Sequence, residues 1–225
     1  MTRLSQLGRR RLVEALGLGP LWVRRASAPV GEAVDIEADV STLDWETLRQ
    51  MVASGRAWGL RSAQLPEFGA SRPEWLVIGG PAVDDDANDE AFAGSAGRLL
   101  DAMLAAIGLD RDRSVVVAGL AKYGAHATGV AISRSCLERQ IELLAPRMIL
   151  VVGEFAVTAM FPGAPSFDDF RGNEEALTIV GRTVPVVATF HPSRLLVDGL
   201  SKAQAWADLC LARTIHEERS ATVFA

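Results

Sequence analysis

The side chains able to do chemistry are few and scattered. Three histidines (His126, His191, His216) and two cysteines (Cys136, Cys210) are spread over 225 residues. None stand at the spacing of a metal-ligand pair. The cysteines, both in segments predicted helical, outline neither a metal site nor a disulfide framework. Both are expected as small buried hydrophobes, with His126 and His216 at the surface. What remains are His191-Pro192-Ser193 closing a strand, Phe92 opening a helix, the acidic run Asp84-Asp85-Asp86, and Lys122, a loop cation that either touches phosphate or faces solvent. Near the N-terminus, Trp22 lies beside Leu21, Arg24 and Arg25, and tryptophan and arginine are the types most enriched at binding hot spots. Such groups offer polar contact and aromatic surface, and no metal is expected.

The elements that must hold these residues follow from hydrophobic periodicity. Continuous apolar runs at 75–78, 114–118 and 147–152 predict buried strands, and 177–180 with 184–188 a hairpin turning at Gly181-Arg182. Between them, 92–107, 133–144 and 154–161 carry helical spacing, as do 44–53 before and 201–215 after. Bare apolar strands alternating with amphipathic helices mean a mostly parallel sheet covered on both faces. The expected fold is α/β, a three-layer α/β/α sandwich around a central, mostly parallel four-stranded sheet. Sites in such sheets form at loops beyond the strands' carboxyl ends. Here those loops begin at Gly79, Gly119, Gly153 and His191. Residues 1–40 read as an arm with a short helix at 7–16 and an acidic linker, 41–217 as the domain, and 218–225 as a tail.

Apolar residues make up 49% of the chain, enough for one sizeable core. The net charge of −5 and pI near 5.3 argue against a protein that coats nucleic acid electrostatically. No run approaches the roughly 20 apolar residues of a membrane helix. The basic start is followed by apolar residues broken by Glu14, Gly17, Gly19 and Pro20, which is not a signal peptide. A cytoplasmic protein is expected.

Several words, in order, carry a resemblance. Phe92-Ala93-Gly94-Ser95-Ala96-Gly97-Arg98-Leu99-Leu100, Leu137-Glu138-Arg139-Gln140, Phe170-Arg171-Gly172 and His191-Pro192-Ser193-Arg194-Leu195-Leu196 resemble segments of the iron–sulfur uracil-DNA glycosylases of bacteria and archaea. The likeness runs from about residue 50 to 212. It implies that Phe92 stacks on a base and that His191 donates a hydrogen bond to the uracil O2 as charge develops there. The plainer alternatives are a core Phe92 and a His191-Pro192 that fixes its loop.

Departures accompany the matches. The four cluster cysteines of that family fall by position at Gly55, Trp58, Tyr123 and Ser133, none of them a thiolate, imidazole or carboxylate, so no cluster is expected. The family's acid in its first motif is Gly80, beside Gly79, and its uracil-reading asparagine is Gly119, which has no side-chain hydrogen bond to offer. The pocket of Gly79, Gly80, Phe92, Gly119, Lys122, His191 and Ser193 thus reads as vestigial.

A second resemblance covers the arm. Leu16-Gly17-Leu18-Gly19-Pro20-Leu21-Trp22-Val23-Arg24-Arg25 with Gly31-Glu32 is similar to the N-terminal peptide of the psi subunit of the bacterial DNA polymerase III clamp loader. It implies a non-catalytic subunit in DNA replication. Leu16, Leu21, Trp22, Arg24 and Arg25 would dock on the clamp-loader collar, and the globular part on a chi-like subunit. Through chi it would reach single-strand-binding protein, contacting DNA weakly or indirectly. The alternative is a cluster-free glycosylase of base-excision repair.

Overall fold

The computed structural model describes residues 42–53, 60–61, 73–80, 92, 94–110, 113, 115–120 and 130–223. The chain divides into two compact units, Met1–Ala38 and Asp39–Ala225. All described residues belong to the second.

The elements are α1 (Trp45–Ala53), β1 (Leu60–Arg61), β2 (Trp75–Gly79), α2 (Gly94–Ala106), β3 (Val115–Leu120), α3 (Val130–Leu144), β4 (Met148–Val152), α4 (Glu154–Met160), α5 (Phe167–Phe170), β5 (Glu175–Ile179), β6 (Arg182–Thr189), α6 (Pro192–Val197) and α7 (Ser201–Val223). They build a three-layer α/β/α sandwich. Its sheet has six strands, ordered β1-β3-β2-β4-β6-β5. The expected four are the parallel centre, β3-β2-β4-β6, and antiparallel β1 and β5 close the edges. Every residue of β2, β3 and β4 is buried, as strands covered on both faces must be.

Local chemistry accounts for the element ends. Asp44 caps α1 by accepting the Thr47 N–H at 2.8 Å. The hairpin turns at Val180-Gly181, one residue before the expected position. Both have positive φ, 46° and 74°, the requirement of a tight two-residue turn whose twist suits the strands. A β-branched residue is costly there, which is why sequence pattern pointed to Gly181-Arg182 instead. Helix α7 buries Ala205, Asp208, Leu209, Ala212 and Ile215 at spacings of three and four, then continues to Val223, past its expected end at 215. No described helix is long and apolar enough to cross a membrane.

Two expectations about burial are corrected, His216 at the surface and Cys210 in the core. His216 packs its ring 5.0 Å from that of buried Trp75, with Nε2 buried. Cys210 is only partly covered, because α7 turns it away from the stripe just named.

Candidate functional site

Sheet register places the site. Gly119, Gly79, Val152 and Thr189 pair in a single row across β3, β2, β4 and β6, at the strands' carboxyl ends. The chain leaves β2 for β3 on one side but leaves β4 for β6 on the other. The loops after β2 and β4 therefore diverge, opening the crevice in which doubly wound sheets place their ligands. Gly80, Gly153 and His191 stand on its rim.

His191 is the N-cap of α6. Its Nδ1 accepts the backbone N–H of Ser193 at 3.2 Å and lies 2.6 Å from the Ser193 hydroxyl oxygen. An amide N–H can only donate, so Nδ1 is the unprotonated nitrogen and the imidazole proton resides on Nε2. Nε2 is buried and has no hydrogen-bond partner among the described residues. Burial holds the pKa of His191 below the ordinary 6.5; the nearby Gly80 backbone opposes that shift without making a hydrogen bond of ordinary length to Nε2. The result is a neutral donor held by no more than a weak interaction with the Gly80 backbone.

Phe92 lies against this imidazole, ring centroids 5.5 Å apart and planes within 16° of parallel. Stacked rings have planes about 3.5 Å apart by van der Waals contact, so the two are offset, and no third ring fits between them. An acceptor hydrogen-bonded in the plane of Nε2 then lies in a layer parallel to the Phe92 ring. Glycines make the arrangement possible. A Cβ on Gly79 would come 2.2 Å from Phe92 Cζ, and one on Gly97 would come 2.1 Å from the Phe92 carbonyl oxygen. These contacts account for Gly79 and Gly97, where any larger residue would collide with Phe92. Phe92 also packs against the core.

Gly153 has φ 93° and ψ 155°, a region open essentially to glycine alone, and a Cβ there would lie 3.0 Å from His191 Cβ. Gly153→Ala is expected to cost about 1–3 kcal/mol of stability through backbone strain. It should also displace His191, measured together by denaturant unfolding and by the histidine's NMR signals.

Of the other sequence candidates, Ser193 holds His191 as described, and Gly119 is buried in β3 opposite Gly79 and Arg61. Lys122, Asp84, Asp85, Asp86, Gly55, Trp58 and Tyr123 lie outside the described residues, as do Leu16, Leu21, Trp22, Arg24, Arg25 and His126. Ser133 is in α3. Gly55, Trp58, Tyr123 and Ser133 are a poor donor set for an iron–sulfur cluster, with no thiolate, imidazole or carboxylate among them. Among the described residues no group of three His, Cys, Asp or Glu side chains is placed to hold a metal. One rim residue was missed: Phe155 at the start of α4, 46% exposed, whose ring covers Gly80, with Cδ1 2.4 Å from where a Cβ would stand. Its only signal was its place in the loop after β4.

Comparison with known proteins points to one family. A profile of the uracil DNA glycosylase superfamily matches residues 66–210. Type-4 uracil-DNA glycosylases are similar: that of Archaeoglobus fulgidus is 29% identical over 143 residues, 59% of this chain and 71% of its own length. That of Saccharolobus solfataricus is 28% identical over 153 residues, 63% and 70%. That of Sulfurisphaera tokodaii is 25% identical over 153 residues, 63% and 69%. These relatives correct the reading as a psi-like, non-catalytic subunit of a bacterial clamp loader with chi-like and single-strand-binding partners. They are archaeal proteins named as DNA glycosylases, and the likeness runs through the domain that forms the crevice. The chain belongs to the uracil-DNA glycosylase superfamily.

Proposed function

We propose that the chain is a DNA glycosylase of base-excision repair, with His191 stabilising the departing base and Phe92 beneath it. One observation carries this reading: a neutral imidazole, its Nε2–H buried and without an ordinary hydrogen-bond partner among the described residues, lying nearly parallel to an aromatic ring at the carboxyl edge of the sheet. When the bond between the sugar C1′ and the base nitrogen breaks, its electron pair passes to the base and negative charge builds on an exocyclic carbonyl oxygen of the base. A positioned donor is worth most at such a point. Water completes the hydrolysis at C1′. The names of the relatives support the same chemistry.

Gly119 leaves the base's hydrogen-bonding edge without the amide that the resemblance places there. Losing one such contact costs on the order of 1–3 kcal/mol of discrimination, so selectivity among bases should be modest. With a net charge of −5, DNA binding should rest on few phosphate contacts and show a shallow salt dependence. The test is incubation with oligonucleotides carrying a single uracil or hypoxanthine, followed by alkaline cleavage at any abasic site. Scission at the modified position is expected. Intact strands on every substrate would overturn the reading.

A further inference from the structure

His191 is preceded by Phe190, which is 1% exposed and held from several directions. Two guanidinium groups stand over its ring, Arg171 at 4.7 Å and Arg194 at 4.6 Å, while Phe167 meets it edge-on at 5.6 Å. Arg171 follows α5, in the word Phe170-Arg171-Gly172. Its Nη1 reaches the Asp208 carboxylate of α7 at 3.1 and 3.4 Å, and its Nε lies 3.5 Å from Asp168. Asp208 is 2% exposed, and Gly172, at φ 73°, brings its backbone close alongside, where a Cβ would meet Oδ1 at 3.4 Å. One residue earlier, the Thr189 carbonyl accepts the Gly153 N–H at 2.8 Å. The end of β6 is thus clamped through Thr189 and Phe190 just before it delivers His191.

A buried ion pair is a weak way to gain stability, since apolar residues of similar volume commonly do as well. What an Asp–Arg pair adds is direction. The carboxylate holds the planar guanidinium in one orientation, and a stacked plane restrains the ring beneath it. We propose that Arg171 and Asp208 are positioning residues, fixing Phe190 and through it the direction in which His191 presents its Nε2–H. This rests on the reading of His191 as the donor to the base.

Two variants test it. Arg171→Lys keeps a charge opposite Asp208 but removes one of the two guanidinium planes over Phe190, leaving that of Arg194; the pair Arg171→Met with Asp208→Leu removes both charges while preserving apolar packing. Each is examined by NMR of the His191 ring nitrogens and by kcat and KM on a uracil-containing oligonucleotide, with Arg213→Ala on the exposed face of α7 as control. Misplacing a reacting group by about 1 Å costs on the order of a hundredfold in rate, and a fall in kcat of about tenfold to a hundredfold is expected, with KM little changed. The ring-nitrogen signals should lose the clean Nε2–H pattern. Folded variants whose ring-nitrogen signals match the wild type would overturn the proposal whatever their activity. If wild-type protein cleaves no substrate while these signals still change, the excision reading falls and the brace stands.

Discussion

Replacing His191 with alanine is expected to lower the excision rate by about 10²–10³-fold, the cost of removing one donor aimed at developing charge. The loss should fall on kcat, because the donor meets charge that exists only as the bond breaks. His191→Gln, which keeps an amide donor, should recover part of it. The pH profile gives a second readout. Burial holds the pKa of His191 below 6.5, so an acid limb due to this residue should lie below 6.5. Protonation at Nδ1 would also turn the Ser193 N–H contact into two opposed donors and remove the cap of α6. The folded state therefore binds this proton less readily than the unfolded chain. Stability from this site is fully present above pH 6.5 and is lost as pH falls from there through the lowered value. An alanine variant with wild-type kcat on a substrate that wild type cleaves would remove His191 from the chemistry.

Long, strongly patterned segments were legible in the sequence. β2, β3 and β4 are uninterrupted apolar runs, and burial on both faces leaves no other pattern for them to have. Short elements were not. β1 has two residues, α5 four and α6 six, less than two turns of any helical period, so His191-Pro192-Ser193 read as a loop when it is the start of α6. His216 looked like a surface residue because its contact, Trp75, lies more than a hundred positions away in the chain. Phe155 carries no periodic signal; only the fold sets it on Gly80. In the sequence, Gly80, Gly119 and the wording of the arm point away from catalysis, and His191 points toward it. What remains is the part of the site that depends on backbone: a capped imidazole, a stacked ring, and glycines at Gly79, Gly97 and Gly153 that let them meet.

Asp208→Ala should be strongly destabilising. It strands the Arg171 guanidinium, 14% exposed, opposite a small cavity, and breaking one side of a buried pair typically costs about 3–5 kcal/mol. The intact pair need not be a net gain. Burial raises the Asp208 carboxyl above its ordinary 3.8, against the opposing pull of Thr189 and Arg171. The folded state then holds this proton more readily than the unfolded chain. Its contribution to stability accordingly falls as pH rises from 3.8 through the raised value, and that dependence should vanish in the variant. Combining Asp208→Leu with Arg171→Met removes both charges and is expected to restore most of the loss, since apolar replacements of buried pairs are often neutral or stabilising by about 1–4 kcal/mol. Denaturant titrations of wild type, single and double variants between acid and neutral pH measure all of this. A single variant within about 0.5 kcal/mol of wild type, the range of ordinary surface substitutions, would show that Arg171 finds water or another partner when Asp208 is gone. In that case the restraint on Phe190 would not depend on the carboxylate.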